Sequence, residues 1–177
     1  MKKIFITLIT ILFTFGYLYS SPRLVTLLEN GWKFQKGDNP KAYSTTFDDS
    51  AWQKVSVPHD WAISGPFDMA IDQQVIKVWE DGDEVERLRT GRTGSLPMFG
   101  VGIYRRMIEL PASLSGNSVW LEFDGAMSHA EIYLNGEKVG ERPYGYVSFH
   151  VDVTDKFVFG KPNQLVVKLD NPEMSSR

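Results

Sequence analysis

Ala130-Glu131-Ile132-Tyr133-Leu134-Asn135-Gly136-Glu137-Lys138-Val139-Gly140-Glu141 is the stretch on which the reading of the fold turns. Ala130, Ile132 and Leu134 fall on one face of an extended segment, with Glu131 and Tyr133 on the other, the period-2 alternation of a half-buried strand. Asn135-Gly136 then provides the dipeptide that best tolerates positive φ at both centres of a type I′ turn, so residues 137–141 are expected to return antiparallel. A hairpin with one apolar face needs a second apolar layer to cover it.

The same alternation recurs on both sides. Residues 118–124 place Val119, Leu121 and Phe123 on one face and Trp120, Glu122 and Asp124 on the other. Further strands are expected at residues 32–35, 54–57 closed by Pro58, 103–110 closed by Pro111, 147–151, and 164–170 closed by Asn171-Pro172. Residues 75–80 and 84–89 flank Asp81-Gly82-Asp83 and read as a more polar hairpin projecting from the body. No 3.6-residue periodicity is sustained past residue 24. Short strands at about 8 to 12 residue spacing, separated by turn residues, predict an all-β sandwich or jelly roll rather than alternating β and α units.

Composition bounds the function. The chain has 177 residues, no cysteine, 19 Lys+Arg against 22 Asp+Glu, and 42% hydrophobic residues. That is one domain with enough apolar surface to build a core. A slightly acidic chain with no basic block lacks the footprint of nucleic-acid binding. Without cysteine there is no thiol nucleophile, thiolate zinc site or iron–sulfur cluster. The glycines form neither a phosphate loop nor a dinucleotide fingerprint, so no cofactor is expected. His59, His129 and His150 are scattered, with no metal-ligand spacing, and are read as structural or solvent-facing.

Residues 1–21 carry Met1-Lys2-Lys3, an apolar run over residues 4–18 and then Tyr19-Ser20-Ser21, the pattern of a secretory signal. The run is shorter than the roughly 20 residues a membrane span needs, so cleavage and export are favoured over anchoring, and no stable span is expected in the mature chain. The location expected is periplasmic or extracellular.

Gly31-Trp32-Lys33-Phe34, then Phe47-Asp48-Asp49-Ser50-Ala51-Trp52-Gln53-Lys54-Val55 running into Val57-Pro58-His59-Asp60-Trp61, resemble the opening of glycoside hydrolase family 2, especially its β-galactosidases. Thr90-Gly91-Arg92-Thr93-Gly94-Ser95-Leu96-Pro97 leading to Gly102-Ile103-Tyr104-Arg105-Arg106 is similar to the family's entry into its central strands. Phe123-Asp124-Gly125-Ala126 with Tyr133-Leu134-Asn135-Gly136 is similar to its core hairpin. Order and spacing agree across about residues 27–172.

The resemblance implies that residues 22–177 form the family's N-terminal sugar-binding domain, a galactose-binding-like jelly roll. An immunoglobulin-like domain and a TIM barrel would follow, the barrel carrying the two glutamates of a retaining mechanism. None of that machinery lies in this chain, and residues 172–177 fall where relatives continue into a Trp-containing loop and a closing strand. The domain is therefore expected to lack its final strand. The partners implied are a β-galactoside-type carbohydrate and those missing domains. A stand-alone carbohydrate-binding module or a purely structural docking domain is the alternative.

Sugars bind by stacking their C–H faces on aromatic rings while polar groups hold their hydroxyls. Trp32, Trp52 and Trp120 read as core or sheet-packing residues. His59-Asp60-Trp61 and Tyr144-Gly145-Tyr146 lie in turn-rich connections, where binding groups are displayed. In relatives the corresponding loops approach the barrel mouth, so Asp60, Trp61, Tyr144 and Tyr146 are the candidate substrate-binding residues. Tyr144 stands near where the better-known β-galactosidases place an aspartate. Asp48-Asp49 reads as a turn, and Glu80, Asp81, Asp83, Glu84 and Glu86 as a solvated hairpin.

Overall fold

The computed structural model describes residues 23–91 and 93–172; the segment read as a signal, residues 1–21, lies outside the described residues. Ten strands follow in chain order: β1 (Trp32–Lys36), β2 (Gln53–Val55), β3 (Gln73–Glu80), β4 (Asp83–Thr90), β5 (Gly100–Ile108), β6 (Trp120–Phe123), β7 (Ala130–Leu134), β8 (Glu137–Arg142), β9 (Phe149–Asp152) and β10 (Asn163–Asn171). Helical structure among the described residues is confined to two 3-10 turns, Pro40–Tyr43 and Ala112–Leu114. No helix among those residues is long and apolar enough to cross a membrane.

Six strands form one antiparallel sheet in the order β2-β1-β5-β10-β7-β8, and β6 pairs with β9 in a second, two-stranded sheet. Period-2 alternation explains how the two meet. Trp32 and Phe34 of β1, Tyr104 of β5, Ile132 and Leu134 of β7, and Leu165 and Val167 of β10 face inward. They meet Leu121 of β6 and Val151 of β9, with Val153 and Phe157 beyond. Each such aliphatic side chain contributes roughly 1.5–3 kcal/mol when fully buried. This is the expected all-β sandwich.

The central strands are covered on their outer face as well. Ile103 and Val166 are fully buried there beneath Ala42 and Trp52, which the segment between β1 and β2 lays across the sheet. Under the same cover lies Arg105, 1% exposed. Its Nε donates to Asp49 Oδ2 at 2.8 Å and its Nη2 to Gln164 Oε1 at 2.5 Å, while Nη1 donates to the carbonyls of Ala42 and Ser44. The guanidinium also lies 5.3 Å from the Phe47 ring centroid. Lys33 Nζ reaches Asp49 Oδ1 at 2.5 Å. Burial works against the Asp49 carboxylate, but the hydrogen bonds from Lys33 and Arg105 outweigh it and hold its pKa below the ordinary value. Asp48, by contrast, closes a turn by accepting the Ser50 N–H at 2.9 Å. The aspartate pair is structural, as its turn-like setting predicts.

Several expectations shift. β2 is Gln53–Val55 rather than residues 54–57, because the Val57 N–H bonds Glu29 O at 2.8 Å instead of joining the ladder. β5 starts at Gly100, three residues before the expected Ile103, and β9 starts at Phe149 rather than 147. Trp120 is a correction: it is 52% exposed, resting edge-on against His150 with ring centroids 5.2 Å apart. Only one face of the two-stranded sheet meets the core, and Leu121 and Phe123 occupy it. The polar hairpin pairs over all eight residues of β3 and β4, with a two-residue turn, Asp81-Gly82, in place of the three expected.

Candidate functional site

The register of the large sheet assembles a rim at one end. Gly100 of β5 lies opposite Asn171 of β10, and Ala130 of β7 opposite Arg142 of β8, so the start of β5, the end of β10, the start of β7 and the end of β8 all reach it. Both candidate loops join this rim.

The first loop is tied down tightly. Trp61 stacks on Phe34 with ring centroids 5.8 Å apart and planes 14° from parallel. A Cβ at position 102 would fall 2.5 Å from Trp61 Cζ3, so only glycine lets the indole lie against β5. Trp61 Nε1 donates to Met98 O at 3.2 Å. His59 Nδ1 lies 2.9 Å from the Tyr104 hydroxyl, and burial lowers the His59 pKa against the opposing charge of Asp60. Burial also raises the Tyr104 pKa. Asp60 is the exposed member of the loop; its Oδ1 accepts the Ala62 N–H at 2.8 Å, an Asx turn that leaves the other carboxylate oxygen outside that bond.

A chain of bonds connects this loop to the second. Met98 O accepts a further bond, at 3.0 Å, from Nδ2 of Asn171, which is 4% exposed. Beside it the Asp170 N–H donates to Ser128 O at 2.9 Å and Ser128 Oγ donates to Asp170 O at 2.8 Å. His129, in the left-handed region at φ 42°, donates its N–H to Pro143 O at 3.1 Å. The next residues are Tyr144, Gly145 and Tyr146. Gly145 is buried, and a Cβ there would fall 2.6 Å from Met127 Cα. The backbone is thus pressed inward at Gly145 while the rings on either side project. Tyr144 is 52% and Tyr146 70% exposed, with centroids 5.6 Å apart and planes at 56°.

The four candidates therefore divide. Tyr144 and Tyr146 stand in solvent on a backbone fixed from below, Asp60 offers a carboxylate, and Trp61 chiefly anchors its loop. Sequence reading missed Asn171, Ser128 and the Met98 carbonyl, which join the two loops. Their only signal was Asn171-Pro172 as a strand terminus, since a backbone carbonyl carries no residue signature. Among the described residues no group of three or more His, Asp or Glu is placed to hold a metal ion. The rim can bind and orient; its serine–imidazole contact, Ser128 Oγ to His129 Nδ1 at 3.2 Å, sits where Ser128 Oγ donates to Asp170 O.

The fold is a β-sandwich with aromatic rings displayed at the end of its larger sheet, and comparisons with known proteins place that architecture in a family. Residues 102–177 match the family described as glycosyl hydrolase 2 galactose-binding domain-like. The β-galactosidase BoGH2A of Bacteroides ovatus is 33% identical over 153 residues, 86% of this chain and 16% of that protein. A putative β-glucuronidase of Formosa agariphila is 30% identical over 164 residues, 93% of this chain and 14% of that protein. Among solved structures, a glycosyl hydrolase family 2 member from Bacteroides cellulosilyticus superposes with a TM-score of 0.70 at 28% identity, over 86% of this chain and 18% of the other. A Bacteroides uniformis β-glucuronidase gives 0.62 at 29% identity, over 82% of this chain and 14% of the other. The chain belongs to glycoside hydrolase family 2 and corresponds to the galactose-binding-like N-terminal domain of its members. It spans only 14% to 16% of the length of these two curated relatives.

Proposed function

We propose that this domain is the N-terminal, non-catalytic part of an exported family 2 glycoside hydrolase that cleaves β-linked carbohydrate, with β-galactosides as the substrate class. The observation that carries the reading is the Tyr144–Tyr146 pair, two exposed rings on a loop whose backbone is pinned at Gly145. Rigid aromatic faces stack on sugar C–H groups at little entropic cost, and phenol and carboxylate oxygens order the hydroxyls. Tyr144, Tyr146 and Asp60 face the sugar, and Trp61 holds Asp60 in place while lending the part of its ring that Phe34 leaves uncovered. Hydrolysis by the retaining route needs two carboxyl groups about 5–5.5 Å apart. Those belong to a barrel domain of the whole enzyme, which this domain helps to close around the terminal sugar. Residues 1–21 act as the secretory signal, so the enzyme works in the periplasm or outside the cell.

Saturation-transfer NMR of the chain with methyl β-galactoside tests the sugar site. Transfer to the sugar protons is expected from the wild type, with loss in the Tyr144→Ala, Tyr146→Ala double variant. No transfer from a folded wild type, or equal transfer from the double variant, overturns the assignment.

A further inference from the structure

The β3–β4 hairpin pairs with no other strand among the described residues, so it presents two free edges, and these differ in charge. β4 reads Asp83-Glu84-Val85-Glu86-Arg87-Leu88-Arg89-Thr90, with five charged residues in eight. β3 reads Gln73-Gln74-Val75-Ile76-Lys77-Val78-Trp79-Glu80, with two charges in eight, one of them at the turn. Charges along an edge strand are the usual protection against pairing with another chain. One edge is guarded and the other is not.

Self-pairing sharpens the contrast. An antiparallel two-fold pairing sets a strand against its own copy about one central residue. Centred on Glu86 or Arg87, β4 opposes that residue to itself. Centred on Val85 it sets Glu84 against the partner's Glu86, and centred on Leu88 it sets Arg87 against the partner's Arg89. Like charges directly opposite destabilise a ladder, so every central register of β4 is disfavoured.

β3 has a register without this conflict over residues 73–79; Glu80 falls past the last pair, level with the partner's Asp72, which lies outside the strand and accepts the Thr93 N–H at 3.1 Å within its own chain. Centred on Ile76, it sets Ile76 against the partner's Ile76, Val75 against the partner's Lys77, Gln74 against the partner's Val78, and Gln73 against the partner's Trp79. The backbone is poised for it. The two-residue turn closes on the Glu80 and Asp83 pair, so residues 80, 78, 76 and 74 aim their N–H and C=O groups at β4. Residues 79, 77, 75 and 73 aim theirs at the free edge, and these are the residues that the Ile76-centred register would bond. Val75 and Trp79 are 62% and 75% exposed.

We infer that the chain forms a dimer through the β3 edge, building a four-stranded antiparallel sheet β4-β3-β3-β4 about a two-fold axis at Ile76. An isolated two-stranded hairpin is marginal in water, whereas four strands support one another, which gives the hairpin a reason to project. The occupant is a second copy rather than an unrelated strand because this register opposes no like charges within β3, sets Ile76 on Ile76, and matches the free backbone groups of residues 73, 75, 77 and 79 to those of the copy.

Sedimentation velocity of the full chain across the micromolar range tests this. The wild type is expected to be a reversible dimer. Ile76→Lys and Ile76→Glu each place like charges at the axis and are expected to weaken the dimer about 10-fold or more. An equimolar mixture of the two variants is expected to dimerise again, which neither misfolding nor association through another surface reproduces. Leu88→Lys, on the far strand, is expected to leave the dimer intact. A monomeric wild type, a dimer unaffected by Ile76→Lys, or a mixture that stays monomeric overturns the inference.

Discussion

Two hairpins in this molecule carry nearly the same turn and meet opposite fates. Asn135-Gly136 joins β7 to β8 with φ of 52° and 87°, and Asp81-Gly82 joins β3 to β4 with φ of 52° and 93°. Yet Ala130, Ile132 and Leu134 are 1%, 0% and 1% exposed, while Val75, Trp79 and Leu88 are 62%, 75% and 65% exposed. The first hairpin has a neighbour on its edge, β10, and a sheet over its face. Its turn is also clamped: the Asn135 N–H donates to Gln164 O, the Gln164 N–H to Asn135 Oδ1, and Asn135 Nδ2 to Asn163 Oδ1, all at 2.9 Å. The difference teaches that turn chemistry writes a hairpin, while its energetic weight comes from what packs on it.

Charge pairs give the largest expected contrast between body and hairpin. Arg105→Ala leaves Asp49 with Lys33 as its remaining cation and takes the donor away from Gln164 and several carbonyls under the sheet cover, and is expected to cost about 3–5 kcal/mol, read from the denaturant midpoint. Arg87→Ala removes a pair with Glu80 whose two side chains are 53% and 45% exposed, and is expected to cost at most about 1 kcal/mol. Equal losses would break the comparison.

Apolar truncations come next. Ile132→Ala empties a fully buried site and is expected to cost about 2–5 kcal/mol. Val78→Ala on β3 is expected to cost less than about 1 kcal/mol in dilute solution. A larger loss that grows with protein concentration would show β3 to be partnered, as the dimer requires.

The turns differ more gently. Asn135→Ala removes three side-chain bonds and is expected to cost about 1–3 kcal/mol by thermal unfolding, whereas Asp81→Asn should stay within about 0.5 kcal/mol.

The smallest effect is a pH slope confined to the body. Burial depresses the His59 pKa, so the unfolded chain binds a proton more readily there than the folded one. Stability is then expected to fall as pH drops below about 6.5, the ordinary histidine value, and His59→Gln should flatten that decline. Urea midpoints measured from neutral pH downward check this; an unchanged slope would remove His59 as its source.

The candidate loops repeat the lesson at the rim. His59-Asp60-Trp61 and Tyr144-Gly145-Tyr146 look alike as turn-rich segments with aromatics, yet Trp61 is stacked on Phe34 and Tyr146 stands in solvent. Neither outcome follows from the local sequence. Trp61 is drawn in because Gly102, forty-one residues away, leaves room for its ring, and the tyrosines are pushed out because Gly145 is pressed against Met127. The Arg105 site was hidden for the same reason. An arginine next to Tyr104 reads as surface charge until Asp49 and Gln164, distant in sequence, are seen to satisfy it.

By itself the sequence determined the all-β class, the two hairpins and the turns between strands, because alternation and positive-φ turn residues act over a few neighbouring positions. It also determined the family, through ordered motifs. Only the tertiary structure decided which alternating face is core and which is solvent, which tryptophan is an anchor and which is exposed, and how Met98, Asn171 and Ser128 bind two loops into one rim. Burial and hydrogen-bond partnership depend on residues far apart along the chain, so local pattern leaves them open until the strands are in place.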